Sequence, residues 1–339
     1  MNDPKAALEK FQIKGAIKSV ALFGGGHIND TYKVETSEAQ YLLQRVNTDV
    51  FRNTEIFEAN LRALLAGKSE VLVEHIATEE GRWLLVDKSG AWKVQVFDED
   101  VYAPQLANDL RQVSEVARGF GKFTALGLSV DIFKESIPDF HNLQWRLEQL
   151  DEAIENNAVG RRTEAQSLID QANAYRWISE KMEALKGDGL PLRLCHNDTK
   201  IDNILLSRSS DRFKYVIDLD TVGPGYALYD FGDMMRTLLS PTKEAEPDVS
   251  KIELREDYYI SLRDGFLSEC RHCLTALEIE SLAFGGQYMT YIMGIRFLAD
   301  YLNGDVYYKV SHGEENFVRA RNQLRLLTLM DGLDTTEEK

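Results

Sequence analysis

The sequence predicts an α+β chain of two lobes, a small N-terminal one made mainly of strands and a larger one made mainly of helices. Three observations support this. Short apolar runs dominate residues 17–97, helical periodicity takes over from Gln105, and one hairpin at 204–217 interrupts the helices. A chain of 339 residues is long enough for two lobes around a cleft, and the change of pattern divides it into 1–98 and 99–339.

Residues 4–12 have the pattern of a short amphipathic helix. A strand at 17–23 runs into Gly24, Gly25, Gly26 and His27, with a return strand at 32–36. Glycines between two strands let backbone N–H groups approach a phosphate with no Cβ in the way, although a plain hairpin turn has the same composition. No helix follows them, so this is not a dinucleotide fingerprint. The third strand, 41–47, lacks the lysine that pairs with nucleotide phosphates in a kinase small lobe. It offers Gln44 or Arg45 instead, and a solvent-facing Arg45 is the alternative. Residues 54–66 form a helix that Thr54 can cap, with Phe57, Leu61 and Leu64 on one face. Glu55 or Glu58 could face the third strand, although acids on helices are usually exposed. Further strands at 71–76, 83–86 and 92–97 lead to an acidic run at 98–100. The backbone of 96–101 is either an edge for adenine or a charged linker.

Beyond that boundary, helices are expected at 105–126, 141–157 and 162–186, with His141 as a cap or surface residue. The stretch 196–203 then holds H-x-D-x-x-x-x-N, the spacing of a kinase catalytic loop. Apolar residues 204–206, a turn at 207–212 and a strand at 213–217 follow it. Closing that hairpin brings Asn203 and Asp218 together, with Asp198 just upstream and Asp220 just beyond. Oxygen ligands side by side suit Mg²⁺, which binds through few protein groups plus substrate phosphates. Asp198 can then accept a hydroxyl proton, and Lys200 can neutralise charge on the transferring group. A turn at 223–225 precedes Asp230 and Asp233, read as structural acids near a helix start. Residues 240–250 read as a mobile loop, and helices at 252–269, 275–303 and 313–331 complete the chain. Arg296 and Asp300 are four apart on one helix face, able to form an intrahelical pair or part of a sugar-binding surface with Tyr307.

Composition narrows the partners. The 55 acidic against 39 basic residues give −16, which argues against nucleic-acid binding through a basic surface. Three cysteines imply no disulfide framework, and Cys270-x-x-Cys273 is a lone pair read as ordinary packing residues. The N-terminus has no signal-peptide pattern and no apolar stretch reaches membrane-spanning length, so a cytoplasmic protein with no membrane partner is expected.

The segments GGGHINDTY at 24–32, HNDTKIDNILL at 196–206, IDLDTVGPG at 217–225 and RFLADYLNGDVYY at 296–308 resemble those of the aminoglycoside phosphotransferase and choline kinase superfamily. The likeness is closer to the bacterial N-acetylhexosamine 1-kinases. It covers essentially the whole chain and implies a protein-kinase-like two-lobed fold, with ATP as phosphate donor and Mg²⁺ as cofactor. It implies transfer to the anomeric hydroxyl of N-acetylglucosamine or N-acetylgalactosamine, with Asp198 as base and Asn203 and Asp218 as metal ligands. It further implies that Arg296 and Tyr307 contact the sugar and that His27 lies near the sugar or the phosphates. The third strand departs from the pattern, because many members carry a basic nucleotide anchor at or near Gln44. Another small alcohol, such as choline, homoserine or an aminoglycoside, is the alternative acceptor. A catalytically dead nucleotide-binding regulator is the alternative of another class.

Overall fold

A computed structural model of the chain describes residues 3–24, 29–67, 69–88, 90–130 and 134–333. A short helix α1 (Pro4–Leu8) is followed by antiparallel strands β1 (Ile17–Leu22), β2 (Asp30–Thr36) and β3 (Gln40–Val46). Helix α2 (Thr54–Leu65) comes next, then β4 (His75–Ile76), β5 (Leu85–Asp87) and β6 (Gly90–Val96). These strands form one sheet in the order β1-β2-β3-β6-β4, with β5 also paired to β6. The strand expected at 71–76 is mostly irregular; Leu72 instead bridges to Val216 of the hairpin at 204–217. Asn53, not Thr54, caps α2, its side chain accepting the Ile56 N–H.

The larger lobe begins with β7 (Val101–Tyr102) and α3 (Leu110–Leu126), then α4 (Leu143–Asn156), α5 (Arg162–Ala174) and α6 (Trp177–Gly187). The single helix expected at 162–186 is thus two, broken at Tyr175 and Arg176. Strand β8 (Arg193–Cys195) leads into the loop and into the hairpin β9 (Ile204–Ser207) and β10 (Phe213–Val216). β7 adds a third strand to that hairpin, so the acidic run before it ends in sheet pairing. The expected turn at 223–225 is β11 (Gly223–Gly225), paired with β8. Helices α7 (Ala227–Leu238), α8 (Glu256–Cys270), α9 (Ala276–Leu302) and α10 (Glu315–Met330) follow. None of the described helices is long and apolar enough to cross a membrane.

Packing explains why the loop sits still. α9 is buried on almost every side, as a helix apolar all round must be. Thr275 and Glu278 close a capping box at its start, and Glu278 also accepts from Nε and Nη2 of Arg193, each at 2.8 Å, fixing β8 to α9. α7 crosses α9 through glycines: a Cβ on Gly232 would lie 2.0 Å from the Gly285 carbonyl oxygen. The largest apolar core runs from Phe57, Leu61 and Leu64 of α2 through α3 and the hairpin to α7 and α8. A second core gathers α4, α5, α6 and α10 around α9, and a third lies under the N-terminal sheet around Trp92.

Candidate active site

The loop between β8 and β9 is held by buried groups that point at its backbone. Asp230, on the first turn of α7, accepts the N–H groups of His196 and Asn197, each at 2.8 Å. Burial pushes the Asp230 carboxyl up to about 6, against the pull of His196 and those two N–H groups. Thr199 donates its hydroxyl to the Asp230 carbonyl at 2.5 Å. The role expected for Asp230 as a helix-start acid is therefore a different one, since it caps the catalytic loop and not its own helix. His196 is fully buried between the ring edges of Phe120 and Phe123 and donates Nε2–H to the Ile217 carbonyl at 2.8 Å. That bond fixes the approach to Asp218. Asn197 and Asp218 have φ of +63° and +61°, left-handed conformations that Asn and Asp tolerate better than most residues.

Four predicted residues come together on this frame. Lys200 Nζ lies 3.1 Å from Asp198 Oδ2, and Asn203 Nδ2 donates to the Asp198 carbonyl at 2.8 Å and to Oδ2 at 2.9 Å. Burial acts to raise the Asp198 carboxyl, but Lys200 and then His196 outweigh it and hold it below the usual range. Asp198 in turn raises Lys200. Asp218 is pushed up to about 7, first by burial and then by Asp220 and Asp198. Among the described residues no group of three or more His, Cys, Asp or Glu side chains could hold a metal. The fit is to a hard cation with few protein ligands. Asn203 commits its N–H₂ to Asp198, which leaves Oδ1 as an acceptor, and Asp218 stands in a crowd of carboxylates that a cation would relieve.

Asp220, expected as a third metal ligand, is occupied otherwise. Its Oδ1 takes Lys93 Nζ and its Oδ2 takes Asn29 Nδ2 at 2.5 Å, and all but about one per cent of Asp220 and Lys93 is buried. Lys93 is on β6, directly across from Gln44 of β3, with the Phe57 ring 5.5 Å from its amine. The buried lysine that the third strand lacks is thus one strand away, marked in the sequence only as the one charge inside the apolar run 91–96. Gln44 donates to Thr31 Oγ1 at 3.3 Å. Arg45 is partly exposed, 3.8 Å from Asp30 and over the Trp92 ring, the solvent-side alternative. Glu58 is buried but pairs with Arg82 and Arg62 and not with the sheet lysine. Gly24 is exposed at φ +72°. Gly25, Gly26 and His27 lie outside the described residues.

The linker is also tied down. Asp98 pairs with Lys214 at 2.6 Å, while Ser207 donates to Asp100 at 2.9 Å, so its acids clamp it to the catalytic hairpin.

Residues 19–263 match the model of the phosphotransferase enzyme family. The chain belongs to that family. Solved structures agree on the fold. Spectinomycin phosphotransferase APH(9)-Ia, solved with ADP and spectinomycin, is 12% identical with a TM-score of 0.58, covering 96% of each chain. Choline kinase LicA from Streptococcus pneumoniae is 17% identical with a TM-score of 0.58, covering 96% of this chain and 98% of that one. A microcompartment-associated aminopropanol kinase is 19% identical with a TM-score of 0.61, covering 96% and 95%.

In this phosphotransferase a second set of side chains abuts the loop from the segment just before α4 and from the end of α9. His141, far from being a surface residue, is buried and hydrogen-bonded through Nε2 to the Asn197 carbonyl at 2.9 Å. Burial drives its pKa down to about 3, so the ring is neutral and donates that proton. Next to it, the Phe140 ring lies 5.1 Å from the Arg296 guanidinium, with Tyr307 and Tyr308 at 5.9 and 5.7 Å. Arg296 therefore lies in the same corner as the catalytic loop. Asp300 does not pair with it. Its carboxylate accepts the backbone N–H groups of Val306, Tyr307 and Tyr308 at 2.8–3.0 Å and the Asn316 amide at 2.9 Å. Asp300 is spent on shaping the loop that presents the tyrosines, not on a ligand. Behind the loop, Arg236 joins Asp233 at 2.7 Å to Glu244 at 2.6 Å, and Arg321 holds the Pro247 carbonyl at 2.7 Å. The stretch 240–250, read as mobile, is pinned at Glu244 and at Pro247.

Proposed function

We propose that this small-molecule phosphotransferase moves the γ-phosphate of ATP to the anomeric hydroxyl of an N-acetylhexosamine, N-acetylglucosamine or N-acetylgalactosamine, giving the sugar 1-phosphate. The observation that carries the reading is the wall of Arg296, Phe140 and Tyr307 set against the loop that bears Asp198. A guanidinium and aromatic faces suit ring hydroxyls, an acetamido group and the apolar side of a sugar. The ADP held by the spectinomycin phosphotransferase supports a nucleotide donor.

The chemistry follows from the frame. Asp198 accepts the hydroxyl proton as the new O–P bond forms and the bond from the γ-phosphorus to ADP breaks. Lys200 keeps that carboxylate ionised and brings positive charge beside the transferring group. Asn203 and Asp218 would hold Mg²⁺, which when bound neutralises charge on the β- and γ-phosphates. An anomeric hydroxyl belongs to a hemiacetal and is more acidic than other sugar hydroxyls, so it needs less general-base help than they would. Selectivity then rests on holding that oxygen in line with phosphorus. The complete set of Asp198, Asn203 and Asp218 speaks against a dead regulator. The Arg296 guanidinium at the acceptor wall speaks against choline and aminoglycosides, which are cations.

ATP consumption over a panel of N-acetylglucosamine, N-acetylgalactosamine, choline, homoserine and an aminoglycoside tests the reading, with phosphorus NMR on the product. Turnover of the N-acetylhexosamines with an anomeric phosphate supports it. Turnover confined to choline or the aminoglycoside overturns it.

A further inference from the structure

The acceptor wall contains a second arginine that no sequence motif marks. Arg146, on α4, is nine-tenths buried, as is Arg296. Its guanidinium donates to the Gln149 amide oxygen at 2.8 Å and the Phe140 carbonyl at 3.2 Å, and its Nε is buried with no partner among the described residues. Arg296 donates, among the described residues, to the Met293 sulfur at 3.4 Å. Neither has a carboxylate within ion-pair distance among those residues. Asp139, a carboxylate whose charge acts on Arg146, accepts from Asn142 instead. Phe140 links the pair: Arg146 bonds its carbonyl and Arg296 faces its ring. Burial first and the Arg296 charge second push Arg146 down to about 10. Two more buried polar atoms of the same corner, His141 Nδ1 and Tyr308 Oη, have no partner among the described residues.

Burying two like charges together without counter-charge is costly, and removing them from water is not offset by neutral acceptors alone. Elsewhere this molecule pairs its buried and half-buried cations: Lys93 with Asp220, Arg236 with Asp233 and Glu244, Arg193 with Glu278. Both arginines and Asp198 act electrostatically on the same His141 ring, so the unmatched charge sits in the same corner as Asp198.

We propose that Arg146 and Arg296 form an anion subsite, and that the acceptor is a hydroxyl compound carrying a carboxylate, here an N-acetylhexosamine bearing an acidic substituent. The sugar part of this statement rests on the function proposed above; the anion part rests on the two arginines. Planar guanidinium groups match a carboxylate through paired N–H donors, and such charge-assisted bonds are about twice as strong as neutral ones. A neutral sugar satisfies hydrogen bonds in the pocket but leaves both charges uncompensated.

The test compares each acid with its own uncharged amide. N-acetylglucosaminuronic acid and 3-O-carboxymethyl-N-acetylglucosamine are assayed for kcat/KM, each against its carboxamide, with N-acetylglucosamine and homoserine alongside. At least one acid should exceed its amide by about tenfold or more, and Arg146→Met should bring that ratio near one while Arg146→Lys keeps part of it. Because the ratio is taken within one protein, a partly folded variant lowers both arms together and leaves the ratio readable. Ratios at or below one for every acid, or a preference unchanged in Arg146→Met, overturn the anion subsite. If N-acetylglucosamine is turned over in that case, the sugar kinase reading survives alone. If homoserine is turned over, no sugar of either kind is, and Arg146→Met abolishes that activity, the subsite survives and the sugar reading falls.

Discussion

The two sides of Asp198 treat buried charge in opposite ways. On the side of the N-terminal sheet, Lys93 is matched by Asp220, whose other oxygen is taken by Asn29. On the side of α4 and α9, Arg146 and Arg296 are buried among rings and neutral acceptors. A matched pair closes a structure; an unmatched one leaves free energy for a ligand to recover. The sheet side is thus read as framework that binds the lobes together, and the helix side as the place where selectivity for the acceptor resides. Within the larger lobe two buried carboxylates each hold a loop by its N–H groups, Asp230 beneath residues 196–197 and Asp300 beneath residues 306–308.

The largest effect should come from the shared centre. Asp218→Ala is expected to abolish turnover at every Mg²⁺ concentration with the fold intact by circular dichroism; near-normal rates would move the cation site elsewhere. Asp198→Asn should lower kcat by roughly two to four orders of magnitude with KM for ATP little changed. Loss of ATP binding with kcat preserved would assign Asp198 to the nucleotide.

The next variants separate the two sides. Lys93→Met leaves Asp220 buried and half-matched, and should cost about 3–5 kcal/mol in a denaturant titration. Lys93→Met combined with Asp220→Leu should recover part of that loss, because it removes the stranded charge. If the double variant is no more stable than the single one, the pair is not a simple closure. Arg146→Met should do the reverse in the same titration, leaving stability unchanged or raised, since it removes an uncompensated charge. The smallest effect is expected for Asp300→Asn. It weakens the hold on residues 306–308 at about 1–3 kcal/mol and should raise KM for the acceptor while leaving KM for ATP alone. A rise in KM for ATP of the same size would mean that this loop serves the nucleotide.

Much of this centre was legible in the sequence because it is local. Asp198, Lys200, Asn203 and Asp218 lie within 21 positions, and a hairpin of ordinary strand chemistry suffices to assemble them. The pattern of strands followed by helices likewise follows from periodicity. What escaped depends on tertiary approach. Asp230 reads as a helix-start acid, and Asp300 as a partner of Arg296 or of a sugar, until another segment's N–H groups arrive at them. His141 reads as a cap, and only its tertiary contacts with Asn197, Tyr229 and Tyr288 bury it. Lys93 carries one faint mark, a charge inside an apolar strand, but its partner lies 127 positions away. Arg146 carries none, being one charged residue of an amphipathic helix whose exposed and buried faces the sequence does not separate cleanly. Arg296 and Asp300 had the right spacing for a pair, yet the backbone after α9 offers Asp300 three N–H groups, a stronger claim than one guanidinium across a turn.

The most direct measurement of the central claim is a rate comparison between N-acetylglucosamine and its methyl glycoside, with phosphate release to the sugar followed by phosphorus NMR. The glycoside keeps every hydroxyl but the anomeric one. The account predicts turnover of the free sugar to a 1-phosphate and none of the glycoside. Equal rates for the two would contradict transfer to the anomeric oxygen, while leaving the phosphotransferase fold and the geometry around Asp198 unaffected.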